Sequence, residues 1–112
     1  MSKINIIINS LESLKLEDII IYDMRTKSPF FDYFILSTAS NSRQLQASLS
    51  HLKEDLTKAG YDIPSFEGTH SNSWVLVDAQ DVIVNIFTKE DRLFYNIEKM
   101  WLDIPQVSPN DL

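Results

Sequence analysis

The amino-acid sequence predicts a single α/β domain built on a mixed β-sheet of about five strands flanked by helices. Three observations lead there. The chain has 112 residues, is 44% hydrophobic and holds only 2 Gly and 4 Pro, which suits one buried core rather than a disordered chain. Its apolar residues alternate between a helical period and short continuous or two-residue-periodic runs. Those runs follow the order α–β–β–α–β–β–β–α, with no internal repeat, linker or low-complexity tract, so strands and helices belong to one unit.

Residues 3–14 open the series with Ile4, Ile7, Ile8, Leu11 and Leu14 on one helical stripe. DIIIYDM (18–24) is a continuous apolar run of strand length, expected to be buried on both faces. RTKSP (25–29) reads as a turn or loop, and YFILST (33–38) as a second strand. ASNS (39–42) supplies helix-start residues, with Ser42 the expected N-cap. The long helix that follows buries Leu45, Leu49, Leu52, Leu56 and Ala59 and stops at Gly60, giving a length of about 27 Å. IPSFEG (63–68) holds a short edge strand behind Pro64. WVLVD (74–78) and DVIVNIF (81–87) form a hairpin, and Thr88 is placed to cap the last helix. The domain is expected to occupy residues 1–103, with LDIPQVSPNDL ending in a loose tail over 104–112.

RLFYNIEKMW (92–101) is dense in large apolar groups. On a continuous helix Leu93, Phe94, Ile97, Met100 and Trp101 share one arc, which predicts burial. Arg92, Tyr95 and Lys99 fall on the other side. Tyr95 is then either a lone surface aromatic or part of a contact surface, where Tyr and Arg are enriched.

The hairpin is the most informative stretch. A two-residue turn at Ala79 and Gln80 sets Asp78 opposite Asp81, Leu76 opposite Ile83 and Trp74 opposite Asn85. One face then carries Val75, Val77, Val82, Val84 and Ile86, which is core composition. The other carries Trp74, Leu76, Asp78, Asp81, Ile83, Asn85 and Phe87. Burying an acid or amide there without partners costs about 1–3 kcal/mol each. Two arrangements satisfy that cost. Either the mixed face stays partly open as an apolar patch with a polar rim, or a terminal helix covers it and the acids lie only at the tip.

Catalytic chemistry finds little support. The chain has no Cys, which excludes disulfides, thiol catalysis and a Cys-based zinc site and suits a reducing cytoplasm. STASNSRQ (37–44) with Arg43 offers helix N–H groups to an anion, but it lacks the Gly that close approach to phosphate needs. It reads as a capping loop. Asp32, Asp78 and Asp81 have no metal-loop spacing, and aspartates at turns commonly bond their own backbone. His51, Glu67 and His70 contain no i,i+4 pair. No arrangement of nucleophile, base and oxyanion donors emerges, so no enzyme activity and no cofactor are expected. No run reaches membrane-spanning length, and Asn5, Asn9 and Glu12 interrupt the initial isoleucines, against a signal segment. A net charge of −6 disfavours naked nucleic acid and favours a basic protein partner.

Several segments together resemble the ribosomal silencing factor family, also called Iojap-like. They are LEDIIIYDMR (16–25), FDYFILSTASNSRQLQA (31–47), FEG (66–68), WVLVDAQDVIVNIF (74–87) and RLFYNIEKMW (92–101), in that order. The resemblance implies a reduced nucleotidyltransferase-like fold without the catalytic acids, and a protein that is not an enzyme. It implies binding to the large ribosomal subunit through its ribosomal protein number fourteen, a steric block on small-subunit joining, and homodimers when free. Its W-x-L-x-D pattern falls on Trp74, Leu76 and Asp78, its next aspartate on Asp81, and its R-x-F-Y pattern on Arg92 to Tyr95. The implied binding residues are Trp74, Leu76, Asp78, Asp81, Ile83, Asn85, Phe87, Arg92 and Tyr95. A homo-oligomeric adaptor in large-subunit maturation is the alternative role. Two positions depart from the family pattern: Gln80 stands where Gly is usual, and Asn85 where His is usual. Gln disfavours a positive φ, and Asn cannot become cationic near neutral pH.

Overall fold

A computed structural model describes residues 2–62, 64–68 and 71–112. Helix α1 (Lys3–Ser13) leads into strands β1 (Glu17–Asp23) and β2 (Tyr33–Ala39). Helix α2 (Ser42–Lys58) precedes β3 (Ser65–Glu67), β4 (Trp74–Asp78) and β5 (Val82–Thr88). Helix α3 (Lys89–Tyr95) follows, then 3-10 turns at Ile97–Trp101 and Pro109–Asp111. The strands form one mixed sheet in the order β1-β2-β5-β4-β3. Among the described residues, β2 and β5 are the one parallel strand pair. The α2 to β4 stretch lies between those two strands in the chain, as a parallel pair requires.

The main core fills the face under α1 and α2. Ile4, Ile7, Leu11, Leu45, Leu52 and Leu56 meet Val75, Val77, Val82, Val84 and Ile86 there. The helical stripes and the valine face of the hairpin therefore do what their periodicity predicts, except that Ala59, expected to be buried, is the exposed C-cap of α2. A second, smaller core lies on the opposite face, where Tyr22, Met24, Leu36 and Phe87 are buried. Ile97, Trp101 and Ile104 partly cover it. Trp101 meets Tyr22 edge-on at 5.3 Å and Phe34 at 4.3 Å. Ile21 faces the first core and Tyr22 the second, so β1 is buried on both faces at its centre.

Several local expectations are corrected. The N-cap of α2 is Asn41 rather than Ser42: its side chain accepts from the Gln44 N–H at 2.8 Å. Thr88 occupies the cap of α3, but its hydroxyl makes no capping bond. The hairpin pairs Asp78 with Ile83, Leu76 with Asn85 and Trp74 with Phe87, two residues from the tight-turn register. Ala79 N–H closes the wider turn onto Val82 O at 3.0 Å, with Gln80 at φ +74. A shift of two preserves the faces, as a shift of one does not.

The last helix is not continuous. It ends at Tyr95, Asn96 turns left-handed at φ 46, and a 3-10 turn follows. The expected buried arc therefore splits: Ile97 and Trp101 pack inward, while Leu93, Phe94 and Met100 are exposed. Arg92, expected outside, is only 8% exposed. The tail is not loose either. Asp23 N–H bonds Pro105 O and Val107 N–H bonds Ile21 O, both at 2.8 Å, with Gln106 opposite Tyr22. Val107 and Leu112 pack against the main core. The unpaired edge of β1 supplies backbone groups that the tail satisfies.

Candidate functional site

Trp74 starts β4, where Ser71 Oγ accepts from its backbone N–H at 3.2 Å. Its indole stacks on Phe87 at 4.9 Å and meets Tyr95 of α3 at 4.6 Å. Phe94 stands edge-on to Tyr95 at 5.1 Å. The indole N–H donates to Asn85 Oδ1 at 3.0 Å, and Asn85 Nδ2 donates to Ile35 O at 3.3 Å. A half-buried tryptophan is thus held by two aromatic rings and at its nitrogen. Aromatic pairs at such distances contribute about 0.5–1.5 kcal/mol beyond area burial.

Arg92 locks α3 and the following turn to the sheet. Its Nη1 donates to Thr38 Oγ1 at 2.9 Å and its Nε to Glu98 at 2.7 Å. The buried charge is paired and bonded, as its burial requires. Tyr22 sits beside this pair. Burial pushes its hydroxyl pKa up, Glu98 pushes it further, and Arg92 opposes the shift.

The sequence-predicted residues divide accordingly. Trp74 and Tyr95 touch each other at the surface, with Tyr95 47% exposed. Leu76 and Asp78 are half-buried on the same face of β4. Ile83, Asn85, Phe87 and Arg92 are buried and support the face from beneath. That overturns the open mixed face as far as β5 is concerned: Asn85 is buried because Trp74 and Ile35 meet its polar atoms. Asp81 lies elsewhere. It sits in the hairpin turn, 2.8 Å from Lys3 Nζ of α1. Outside the predicted set, Leu93 and Phe94 of α3, Met100 and Leu102 in the segment after it, and Phe30 in the β1–β2 loop are also large and exposed. Asn96 was the available signal, because Asn tolerates the left-handed conformation that ends a helix.

The chemical alternatives gain nothing. Among the described residues, no group of three or more His, Cys, Asp or Glu could hold a metal ion. Asp78 accepts from Gln80 N–H at 2.8 Å, as an aspartate at a turn does. His51 Nε2 lies 3.2 Å from both Ser13 Oγ and Asp55. His70 is outside the described residues. At the α2 N-terminus, Gln44 Oε1 accepts from Ser40 N–H at 2.6 Å and Asn41 fills the cap, so the chain's own side chains engage the loop. No helix among the described residues is long and apolar enough to cross a membrane.

Fold and face define a small mixed-sheet α/β domain with aromatic side chains clustered at one surface. A sequence model of the family described as "Ribosomal silencing factor during starvation" matches residues 1–112. The chain is 34% identical over 100 residues to the ribosomal silencing factor of Halalkalibacterium halodurans, covering 89% of this chain and 86% of that protein. It is 38% identical over 89 residues to that of Bacillus subtilis, covering 80% and 75%. A crystal structure from Bacillus halodurans superposes with a TM-score of 0.81 at 31% identity, covering 94% of this chain and 95% of the other. The chain belongs to the ribosomal silencing factor family. That family is described by a regulatory role on the ribosome, not by a reaction.

Proposed function

We propose that this chain is a stoichiometric anti-association factor acting in the cytoplasm. It docks on the large ribosomal subunit through ribosomal protein number fourteen, and its bulk keeps the small subunit from joining. Translation is thereby repressed. The observation that carries this reading is the aromatic row in which half-buried Trp74 meets exposed Tyr95 and Phe94. Exposed apolar groups in a cluster mark contact surfaces, and Trp and Tyr are the residues most enriched at their energetic centres. A net charge of −6 favours a basic ribosomal protein through long-range steering. A steric block needs volume and affinity only, so no catalytic group is called for.

The test is to mix the protein with large subunits, add small subunits and separate them on a sucrose gradient. The expected result is co-migration with the large subunit and a smaller joined-ribosome peak. Trp74→Ala, shown by circular dichroism to be folded, should weaken subunit binding by about 2 kcal/mol or more. Protein that stays at the top of the gradient while joining proceeds overturns the reading. Binding without any effect on joining favours a maturation adaptor instead. A dimer in free solution that large subunits dissociate would place both contacts on the same face.

A further inference from the structure

We infer that Asn85 is the positioning residue of the docking face: its side-chain oxygen pins the Trp74 indole and so sets which ring edge meets a partner. The inference rests on the docking reading above. Asn85 lies in the middle of β5, fully buried, opposite Leu36 of β2 and Leu76 of β4. A leucine or valine would pack there with no polar desolvation, whereas an amide costs about 1–3 kcal/mol unless bonded. Both halves of the amide are bonded. Nδ2 donates to Ile35 O across the β2–β5 pair at 3.3 Å. That contact fixes the amide plane and leaves Oδ1 aimed at Trp74 Nε1, 3.0 Å away.

The indole needs this restraint. Phe87 stacks on it at 4.9 Å and Tyr95 packs against it, tilted, at 4.6 Å. Stacking fixes the plane of a ring but discriminates weakly among orientations within that plane, and the outer χ torsion of Trp is broad. The N–H bond to Asn85 selects one orientation. A side chain locked before contact loses less freedom on binding, which raises affinity without any new contact. Asn85, being buried, acts only through Trp74.

A double-mutant cycle decides this, with Asn85→Leu and Trp74→Phe singly and together. Binding to large subunits and the indole N–H resonance of Trp74 are both measured. Trp74→Phe identifies the Trp74 signal against that of Trp101. Asn85→Leu is expected to shift the Trp74 resonance, speed its exchange with water and weaken binding by about fivefold to tenfold. In the Trp74→Phe background, Asn85→Leu is expected to cost nothing further. If Asn85→Leu costs the same in both backgrounds, its role is merely structural and the inference fails. It fails equally if the indole signal moves while binding is unchanged. Should Asn85→Leu not fold, Asn85→Ser, whose hydroxyl is too short to reach the indole, takes its place in the cycle. If Trp74→Ala leaves subunit binding intact, the docking reading falls, whereas the resonance still judges the hydrogen bond on its own.

Discussion

Gly68 has no room for a side chain. A Cβ built there lies 2.9 Å from Trp74 O, and its φ is +79. Both the contact and the backbone oppose any other residue. Gly60, at φ +88, has open space around its missing Cβ. Gly60→Ala is therefore expected to cost about 1 kcal/mol, the conformational penalty alone. Gly68→Ala should cost roughly 2–3 kcal/mol and displace the start of β4, loosening Trp74 as well. Urea midpoints of the two variants, compared with subunit binding, check both statements. Equal losses would show that the close approach to Trp74 has no weight. Tyr22 supplies a residue-scale pH dependence. Its folded pKa is raised above the ordinary value, so the folded state holds the phenolic proton more tightly. That contribution is complete below about pH 10 and is lost as pH rises through the folded value. An alkaline melting series should fall less steeply for Tyr22→Phe than for the parent.

At the scale of elements, Asn96 decides where the aromatic row points. Arg92 and Glu98 are six positions apart, which on a continuous helix sets them about 120° apart around the axis and nearly two turns apart along it. Their 2.7 Å contact exists only because Asn96, at φ 46, turns the chain back. The same turn brings Trp101 under Tyr22 and leaves Phe94 and Met100 outside. Asn96→Val is expected to cost about 1–2 kcal/mol, whereas Asn96→Gly should fall within about 0.5 kcal/mol of the parent. Thermal midpoints test this, and a harmless valine would mean the turn does not depend on Asn96. The same element shows what a sequence can disclose. Strands, their faces and the helical stripes were legible because burial on one side imposes a period on neighbouring residues. The burial of Arg92 was not, because its partner Thr38 lies 54 positions away and enters no local pattern. The burial of Asn85 was left open between two arrangements for the same reason: its acceptor, Ile35 O, belongs to another strand. The hairpin faces survived an error of two in register, while the turn carrying Asp81 did not.

Across the whole molecule, the two faces of the sheet are protected unequally. Helices α1 and α2 cover one, and a short irregular segment covers part of the other. The exposed aromatic groups of α3 belong to that second side, next to Trp74. The chain's net charge of −6 predicts that association with a basic partner slows as salt rises, because screening weakens steering beyond about 10 Å. The sheet edge at β1 makes a separate prediction. Residues 105–107 run along it and satisfy Asp23 N–H and Ile21 O, and Val107 and Leu112 close the main core. Two backbone bonds and two half-buried side chains contribute about 4 kcal/mol in gross terms. Ordering the segment consumes most of that, so removing residues 104–112 should lower stability by only about 1–2 kcal/mol. It should also bare a strand edge, and unpaired edges recruit other strands. The truncated protein is therefore expected to self-associate in sedimentation velocity at concentrations where the parent does not gain mass. Subunit binding should persist, because β4 lies three strand spacings away, about 14 Å. Truncation that abolished binding while leaving the melting midpoint untouched would mean the tail contacts the ribosome itself and is not an edge cover.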